Sequence, residues 1–508
     1  MRAKKARINT IVNLLTYIIG MIPNFIVRSI LLKTLGNEIL GLSSLYTNII
    51  SYLSIIELGI GSAIIFSLYK PFAENDIKKI KGYLKYYRKF YNTIAIIIFI
   101  LGIIMLPILN IFIKNQVNIQ EAQIYFMLFL INTILSYLFS YKICILNVDQ
   151  EGYKVSIATT VSKLIIAFLQ IIFLKLYASF FIYLVIQIII NSLYYFCINF
   201  YIDKKYKWII SLKEGELENR EIKALKTNVK ALFFHKIGSL FVVSTDNLVI
   251  SAFINLKVVG IYNSYYMIIS AFQAAIGNAL AGVTASIGNL LTTNDSEKAY
   301  EIHKKLFFVN FWVVSFVTIS LFNTLRQFIY LWLGEDQYLS QLTVNLLLIN
   351  LYFGLMRVSV EKFKEAAGLY YNDRYAPLIE AIINFVFSIL LVNIMGMPGV
   401  FLGTFISNFT VVFWVKPKIT YKYIFKKPLK DYFNMYFKYM LIALIPLVIT
   451  NFLTKNIREI INIKFFILNC IINIVVINFI YLLIFHKNKE FLYYKDMVIN
   501  LIYKGRRK

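Results

Sequence analysis

The stretch Gly41-Leu-Ser-Ser-Leu-Tyr46-Thr-Asn-Ile49-Ile50-Ser51 recurs 219 residues later as Gly260-Ile-Tyr-Asn-Ser-Tyr265-Tyr-Met-Ile268-Ile269-Ser270, with five identities in eleven positions. Self-similarity at a fixed offset is the mark of a duplicated architecture. Both copies lie in long apolar runs, so the duplicated unit is a set of membrane helices. The offset puts helix two in register with helix eight, matching helices one to six with seven to twelve. Six is even, so the two sets keep one orientation and are expected to be related by an axis along the membrane normal, with a substrate path between them.

The rest of the 508 residues agrees with this reading. Hydrophobic residues make up 59% and charged residues only 16%, and the mean hydropathy is +0.68; a soluble domain carries about 25% charged residues. A spanning helix needs about 20 mostly apolar residues, and such runs fall at 9–31, 40–68, 91–113, 122–147, 155–174, 179–200, 231–253, 259–290, 307–332, 342–361, 376–393, 400–415, 439–453 and 465–485. They are far longer than the alternating segments of roughly 10 residues in outer-membrane barrels, so the spans are helical. The expected fold is an all-α polytopic membrane protein of about fourteen transmembrane helices. It divides into an N-terminal six-helix half (1–219), a C-terminal six-helix half (220–438), and two extra helices with a basic tail (439–508). Cys144, Cys197 and Cys470 lie far apart inside apolar runs, a spacing of neither a disulfide framework nor a metal site. No metal and no cofactor is expected.

The formal net charge is +27. With the N-terminus inside, 40 of the 53 basic residues fall in inner loops, 7 in outer loops and 6 within spans. Inner loops carry the excess of Lys and Arg in membrane proteins, so both termini are expected to be cytoplasmic, and the charge calls for no nucleic-acid partner. The first apolar run contains Pro23, Asn24 and Arg28 and does not read as a cleavable signal. Ile77, Ile80, Leu84, Tyr87 and Tyr91 have helical spacing, with Lys78, Lys79, Lys85, Arg88 and Lys89 opposite. That segment is expected in the inner headgroup plane, unless it serves only to orient the chain. The loop from Lys204 to Lys230 repeats the theme.

An ionisable residue at a helix centre costs about 2.5–3.5 kcal/mol on the insertion scale, which makes each one a functional candidate. Helix one presents Thr10, Asn13, Tyr17, Asn24 and Arg28 on one face, with Pro23 able to kink it. Glu57 lies deep in helix two, as either a paired acid or a protonation site. Helix seven carries His235, Ser239 and Asp246 on one face, with Lys236 adjacent. The offset matches Arg28 to Asn247, next to Asp246, so Arg28 and Asp246 could pair across a closed pathway; structural pairing explains Asp246 equally well. Asp246, Glu57, His235 and Lys236 are the candidates for coupling or gating. Lys142, Lys163 and Arg357 lie toward inner ends, where long side chains snorkel, and Arg357 and Glu361 form an i, i+4 pair. Arg326 is nearer the outer side. Arg28, Asn24, Arg326, Arg357 and Lys163 are the candidate substrate-binding residues of a cationic interior suited to phosphate or pyrophosphate. Gly277, Ala281 and Ala285, like Gly59 and Ala63, recur at every fourth position and permit close helix contact.

Three runs carry a resemblance. They are Leu-Gly-Ile-Gly-Ser-Ala (58–63) followed by Leu68-Tyr69-Lys70-Pro71; Ser244-Thr-Asp246-Asn-Leu-Val-Ile-Ser251 leading to Val259-Gly260-Ile-Tyr262; and Asp373-Arg374-Tyr375-Ala-Pro377-Leu-Ile-Glu380-Ala-Ile-Ile-Asn384 before Gly399-Val-Phe-Leu-Gly403-Thr. Together they resemble the polysaccharide transporters, the Wzx-type O-antigen and capsule repeat-unit flippases of the multidrug/oligosaccharidyl-lipid/polysaccharide exporter superfamily, over nearly the whole chain. The resemblance implies a fourteen-helix protein of the bacterial cytoplasmic membrane. Such a protein moves an undecaprenyl-pyrophosphate-linked oligosaccharide to the outer leaflet by alternating access, through a cationic cavity in which Arg28 fits best. Its implied partners are that lipid, the membrane lipids and the polysaccharide polymerase machinery. No GxxxxGK[ST] loop is present, so drive is expected from an H+ or Na+ gradient or from consumption of the product outside. A cation-coupled drug exporter would favour acids over bases in the cavity, and a lipid II flippase shares the same chemistry. A membrane polysaccharide polymerase would need a larger outer loop than the one near Gly334 to Gln341, so no enzyme is expected.

Overall fold

The computed structural model describes all residues except 1, 58–59, 115, 214, 224, 226–244, 293–294, 370–371 and 506–508. Among the described residues every regular element is a helix. The chain forms two compact units, Met1–Ile261 and Tyr262–Lys508.

The first unit begins with α1 (Arg2–Leu53), whose helical ladder breaks its geometry at Gly36, with φ 81° and ψ 179°. Only glycine reaches that region without strain, and the break separates the first two expected spans. A 3-10 turn, Ser54–Glu57, leads to α2 (Ile60–Ala73) and α3 (Ile77–Met105). Then come the short α4 (Leu109–Ile113), α5 (Ile119–Ser140), the short α6 (Cys144–Val148), α7 (Gly152–Tyr177) and α8 (Phe180–Lys205). Residues 245–253 are helical, and α9 (Leu256–Leu291) follows, its first six residues in this unit and the rest, from Tyr262, in the second. Boundaries fall where short polar side chains can satisfy the first free N–H groups: Asp76 accepts from Lys79 N, Asn118 from Gln120 N and Ser179 from Ile182 N.

The second unit contains α10 (Ser296–Leu333), α11 (Gln341–Ala366), α12 (Ala376–Met395), α13 (Met397–Ser407), α14 (Phe413–Thr420), α15 (Leu429–Thr454), α16 (Ile463–Phe485) and α17 (Lys489–Gly505). Two π-helical turns, Asn408–Val412 and Tyr421–Phe425, flank α14. A polar ladder docks α16 and α15 on α10. Asn323 donates to Thr450 Oγ1 (2.9 Å) and Asn473 Oδ1 (2.8 Å), and Asn469 donates to Gln327 Oε1 (2.7 Å) and to the Asn323 carbonyl (2.9 Å). Trp312 Nε1 reaches Asn478 (2.9 Å), and the Tyr481 hydroxyl reaches Ser315 (2.8 Å). In hydrocarbon, such side-chain bonds and close packing hold helices together where the hydrophobic effect cannot.

Eleven helices among the described residues are long and apolar enough to cross a membrane. The difference from fourteen has three sources. One of the eleven, Leu15–Leu53, carries two spans joined at Gly36. In α9 the side chains at 281–282 and 285 lie outside the described residues, which cuts short its apolar stretch. Most of the run 231–253 lies outside the described residues.

The repeated motif proves to be a packing device. A Cβ on Gly41 would sit 1.9 Å from the Leu256 carbonyl oxygen, and one on Gly260 would sit 2.5 Å from the Asn37 carbonyl oxygen and 3.1 Å from Gly41 N. The first residues of the two copies therefore meet, backbone against backbone, where α1 crosses the start of α9. The two repeated tyrosines are fully buried and play matching parts. Tyr46 donates to the Ala122 carbonyl near the start of α5 (2.6 Å), and the Tyr265 hydroxyl accepts from Leu339 N just before α11 (3.2 Å). Shifting Ala122 by the motif's offset of 219 gives position 341, two residues from Leu339. By contrast, Gly277 has nothing within 4 Å of its would-be Cβ.

One expectation is corrected. Residues 77–91 do not form a separate in-plane helix: α3 is unbroken from Ile77 to Met105, and Tyr83, Leu84, Tyr87 and Tyr91 are buried in the unit's core. The apolar face meant for lipid is covered by the loop after α8. Gly82 and Gly215 allow this, since a Cβ on Gly82 would lie 2.6 Å from the Glu216 carbonyl oxygen and one on Gly215 would lie 2.4 Å from the Lys81 carbonyl carbon. Ion pairs Lys78–Glu216 and Lys79–Glu221, both 3.0 Å, fasten its edge.

Candidate functional site

In the first unit, the polar face of α1 lies against α7. Asn9 donates to the Gln150 carbonyl (2.8 Å) and accepts from Tyr153 N (2.7 Å), and Ser156 donates to Asn13 Oδ1 (2.6 Å). Farther along α1, the Arg28 guanidinium donates from Nη2 to the Gly260 carbonyl at 2.6 Å. Arg28 is half-buried, while Asn24, one turn earlier, and Lys163 on α7 are exposed. Sequence reading placed these three together, but only Arg28 has a contact that positions it.

Glu57 ends the 3-10 turn after α1, and both of its carboxylate oxygens are engaged. Tyr91 donates to Oε1 (2.6 Å) and Tyr137 to Oε2 (2.9 Å), and Tyr87 donates in turn to the Tyr91 hydroxyl (2.8 Å). No described cation forms an ion pair with it. Of the two readings of this acid, pairing and protonation, the geometry offers a third partner class: neutral hydroxyls. They can stabilise a carboxylate through charge-assisted bonds without cancelling its charge. The tyrosines come from α3 and α5 and carried no signal in the sequence beyond their aromatic spacing. Asp246 is buried, beside the equally buried Thr245 and Asn247, and Tyr52 is within its electrostatic reach. His235 and Lys236 lie outside the described residues.

The second unit holds a denser charge cluster. Arg357 was expected to snorkel from an inner end. Instead it is 8% exposed, because partners inside the unit replace water. Its Nε donates to Glu361 Oε1 (2.6 Å), and its Nη1 donates to Asn408 Oδ1 (2.6 Å). Lys416 Nζ donates to the same Glu361 oxygen at 2.6 Å. Glu380, also buried, is within electrostatic reach of Arg357, Lys416 and Glu361. Two cations and two acids thus converge from α11, α12 and α14. The i, i+4 spacing of Arg357 and Glu361 was legible. Asn408, Lys416 and Glu380 were missed because Lys416 read as loop charge and the π-turn that aims Asn408 has no sequence signature. π-turns frequently mark functional sites. Arg326 lies at the far end of α10, its guanidinium 4.7 Å from the centre of the Tyr338 ring. It lines a cavity of ≈ 230 Å³ with Tyr265, Tyr338 and Gln341.

Two ion-pair groups lie at helix ends. Lys205 contacts Asp149 (2.9 Å) and Glu151 (2.7 Å), and Lys154 contacts Glu151 (2.8 Å). Burial raises the Glu151 pKa, but hydrogen bonds from Lys154 and Lys205 outweigh it and hold the carboxyl below its ordinary value. In the second unit, Lys364 and Asp373 form a buried pair.

The model of the polysaccharide biosynthesis protein family matches residues 6–285, more than half of the chain. The chain belongs to this family. Comparison with solved structures bears on the fold of this polysaccharide biosynthesis protein. The protein is similar to the lipid II flippase MurJ in an inward closed conformation, with TM-score 0.68 and 16% identity over 94% of this chain and 99% of that one. It is also similar to an inward-facing multidrug resistance MATE transporter of the MOP superfamily, with TM-score 0.65 and 16% identity over 83% and 99% of the two chains. A third likeness is to a Vibrio cholerae MATE transporter, with TM-score 0.57 and 12% identity over 84% and 98%. No curated protein sequence matches. This polysaccharide biosynthesis protein is therefore a multi-pass, all-α membrane protein with the MurJ/MATE transporter fold.

Proposed function

We propose that the protein is a flippase that carries an undecaprenyl-pyrophosphate-linked oligosaccharide repeat unit across the bacterial cytoplasmic membrane by alternating access, for surface polysaccharide synthesis. One observation carries the reading: a chain of the polysaccharide biosynthesis family has a fold whose solved examples, MurJ and the MATE transporters, move substrates across membranes. Moving a charged, hydrated headgroup through hydrocarbon is prohibitive unless polar groups replace its water; the prenyl tail can stay in lipid. In this reading the sequence halves 1–219 and 220–438 act as the two rocking bodies, with both termini in the cytoplasm. Arg28, Asn24, Lys163, Arg326 and Arg357 face the pyrophosphate-sugar at different stages. Glu57 and Asp246, with His235 and Lys236, couple the cycle to H+ or Na+, and the polymerase machinery takes the product.

Complementation tests this. A strain lacking its own flippase accumulates lipid-linked repeat units and loses surface polysaccharide. The wild-type chain should restore the polymer, and Arg28→Ala should fail at equal protein level. Normal polymer with Arg28→Ala removes Arg28 from the translocation route. A second reading, a cation-coupled drug exporter, is favoured by one feature, the membrane acid Glu57 with hydroxyl partners and no cation. It predicts raised drug resistance on expression and no effect on lipid-linked intermediates.

A further inference from the structure

The helix that follows the last span leaves one face without a partner. α17 (Lys489–Gly505) begins four residues after α16 ends at Phe485. The connection is fixed: Asn488 N donates to the Phe485 carbonyl (2.8 Å), and the Asn488 side chain accepts from Glu490 N (2.8 Å). An extended chain covers about 3.5 Å per residue, so α17 starts within about 14 Å of the end of a span. Its first turn also packs back on the spans. Phe491 stacks on Trp312 of α10, with ring centres 6.0 Å apart and planes 14° apart. The same Trp312 donates to Asn478 of α16 and packs against Phe485. Lys305 of α10 lies 4.0 Å from the centre of the Tyr493 ring. Beyond Tyr494 the helix is uncovered: Lys495, Asp496, Met497 and Ile499 are all exposed.

The pattern of α17 is amphipathic. Helical spacing puts Phe491, Tyr494, Val498, Leu501 and Ile502 on one side and Lys489, Asp496, Asn500 and Lys504 on the other. Leu492 and Ile499, seven residues apart, border the apolar side and are exposed. From Lys487 to Lys508 seven residues are basic and two are acidic. Among the described residues, Lys487, Lys489 and Lys495 form no ion pair. A helix with an apolar strip edged by lysines belongs in the headgroup plane, and basic clusters beside a span attract anionic lipid. A second copy of the chain is a poorer occupant, because at a two-fold contact the same basic strip would face itself.

We propose that α17 is a binding surface for anionic phospholipid: its apolar side enters the acyl boundary, and its lysines take the phosphates of the leaflet in which α16 ends. The surface does not depend on the flippase reading. The test uses the full-length protein with Cys197→Ser and Cys470→Ser, carrying an NBD fluorophore on Ile499→Cys; Cys144 is buried. It is placed in phosphatidylcholine vesicles with and without phosphatidylglycerol. With phosphatidylglycerol, doxyl-labelled lipid should quench the probe and aqueous iodide should not. Native mass spectrometry should show phosphatidylglycerol retained over phosphatidylcholine. The triple variant Lys487→Gln, Lys489→Gln, Lys495→Gln should lower that preference by about tenfold or more. Should the variant fail to fold, high salt on the wild type should lower the preference in the same direction. Quenching by iodide in both kinds of vesicle overturns the proposal. Shielding from both quenchers also overturns it, since protein then covers the face. Equal retention of the two lipids by the wild type overturns the anionic surface.

Discussion

The charge cluster of the second unit makes a quantitative prediction for Glu361→Gln. Glu361 Oε1 accepts two charge-assisted bonds, from Arg357 Nε and Lys416 Nζ, both at 2.6 Å. Hydrogen bonds to charged groups contribute about 1.5–3 kcal/mol each, so losing both costs about 3–6 kcal/mol. Removing one partner of a buried ion pair costs about 3–5 kcal/mol, because the remaining charge is left uncompensated; the two routes agree. Glu380 can offset part of the loss but not all, since two cations would then share one acid. For a body of this size roughly 2–4 °C of Tm is lost per kcal/mol, so Glu361→Gln should lower the midpoint by at least about 6 °C. Thermal unfolding of the purified protein in detergent, followed by tryptophan fluorescence, reads this. The double variant Glu361→Gln with Lys416→Met removes a cation together with the acid and should be less destabilised than Glu361→Gln alone, a non-additivity that the double-mutant cycle measures. A shift under about 2 °C for Glu361→Gln, equivalent to at most about 1 kcal/mol, would show that water or another group replaces the acid and that the cluster is not closed.

Four further outcomes follow from other contacts. Gly41→Ala places a methyl 1.9 Å from a backbone oxygen, where nothing flexible can yield; it should destabilise by more than the usual 1–3 kcal/mol of overpacking and abolish complementation, while Gly277→Ala, with open space, should be neutral in the same two assays. Asn473→Leu removes a donor and acceptor of the ladder between α10 and α16; the expected loss is about 1 kcal/mol per bond, measured by thermal unfolding, and an increase in Tm would show that apolar packing serves equally well. Tyr91→Phe with Tyr137→Phe strips both donors from Glu57, so transport in vesicles should fall at equal protein level; unchanged transport removes Glu57 from coupling. Glu151 has a lowered pKa in the folded state, so its contribution to stability is present above the ordinary glutamate value near about 4.3 and is lost as pH falls through the lower folded value; Glu151→Gln should flatten the acid limb of the stability curve, and an unaltered limb would refute the role of the Lys154 and Lys205 bonds.

The fold was legible because its signals are one-dimensional. Apolar runs of bilayer length, the sidedness of Lys and Arg, and a motif repeated at 219 residues need no knowledge of contacts. The charged candidates were less legible. Arg357 and Glu361 are four apart on one helix, so their pairing could be read from spacing, but Lys416 and Asn408 join them from another segment by way of a π-turn. The α3 segment shows the opposite error. Its amphipathic pattern is real, yet the choice between a lipid surface and a protein loop as cover depended on Gly82 and Gly215 meeting across the fold.

Sequence alone determined that this chain spans a membrane many times and which few ionisable groups lie within its apolar runs. Hydrophobic transfer and chain length are additive along a chain, so a linear reading captures them. Tertiary structure alone decided what each of those groups touches: Arg28 a glycine carbonyl, Glu57 two tyrosines, Arg357 an acid shared with Lys416, and Arg326 the face of the Tyr338 ring. Hydrogen bonds and ion pairs act over about 3 Å between residues tens or hundreds of positions apart. Only the packed helices bring such groups within reach.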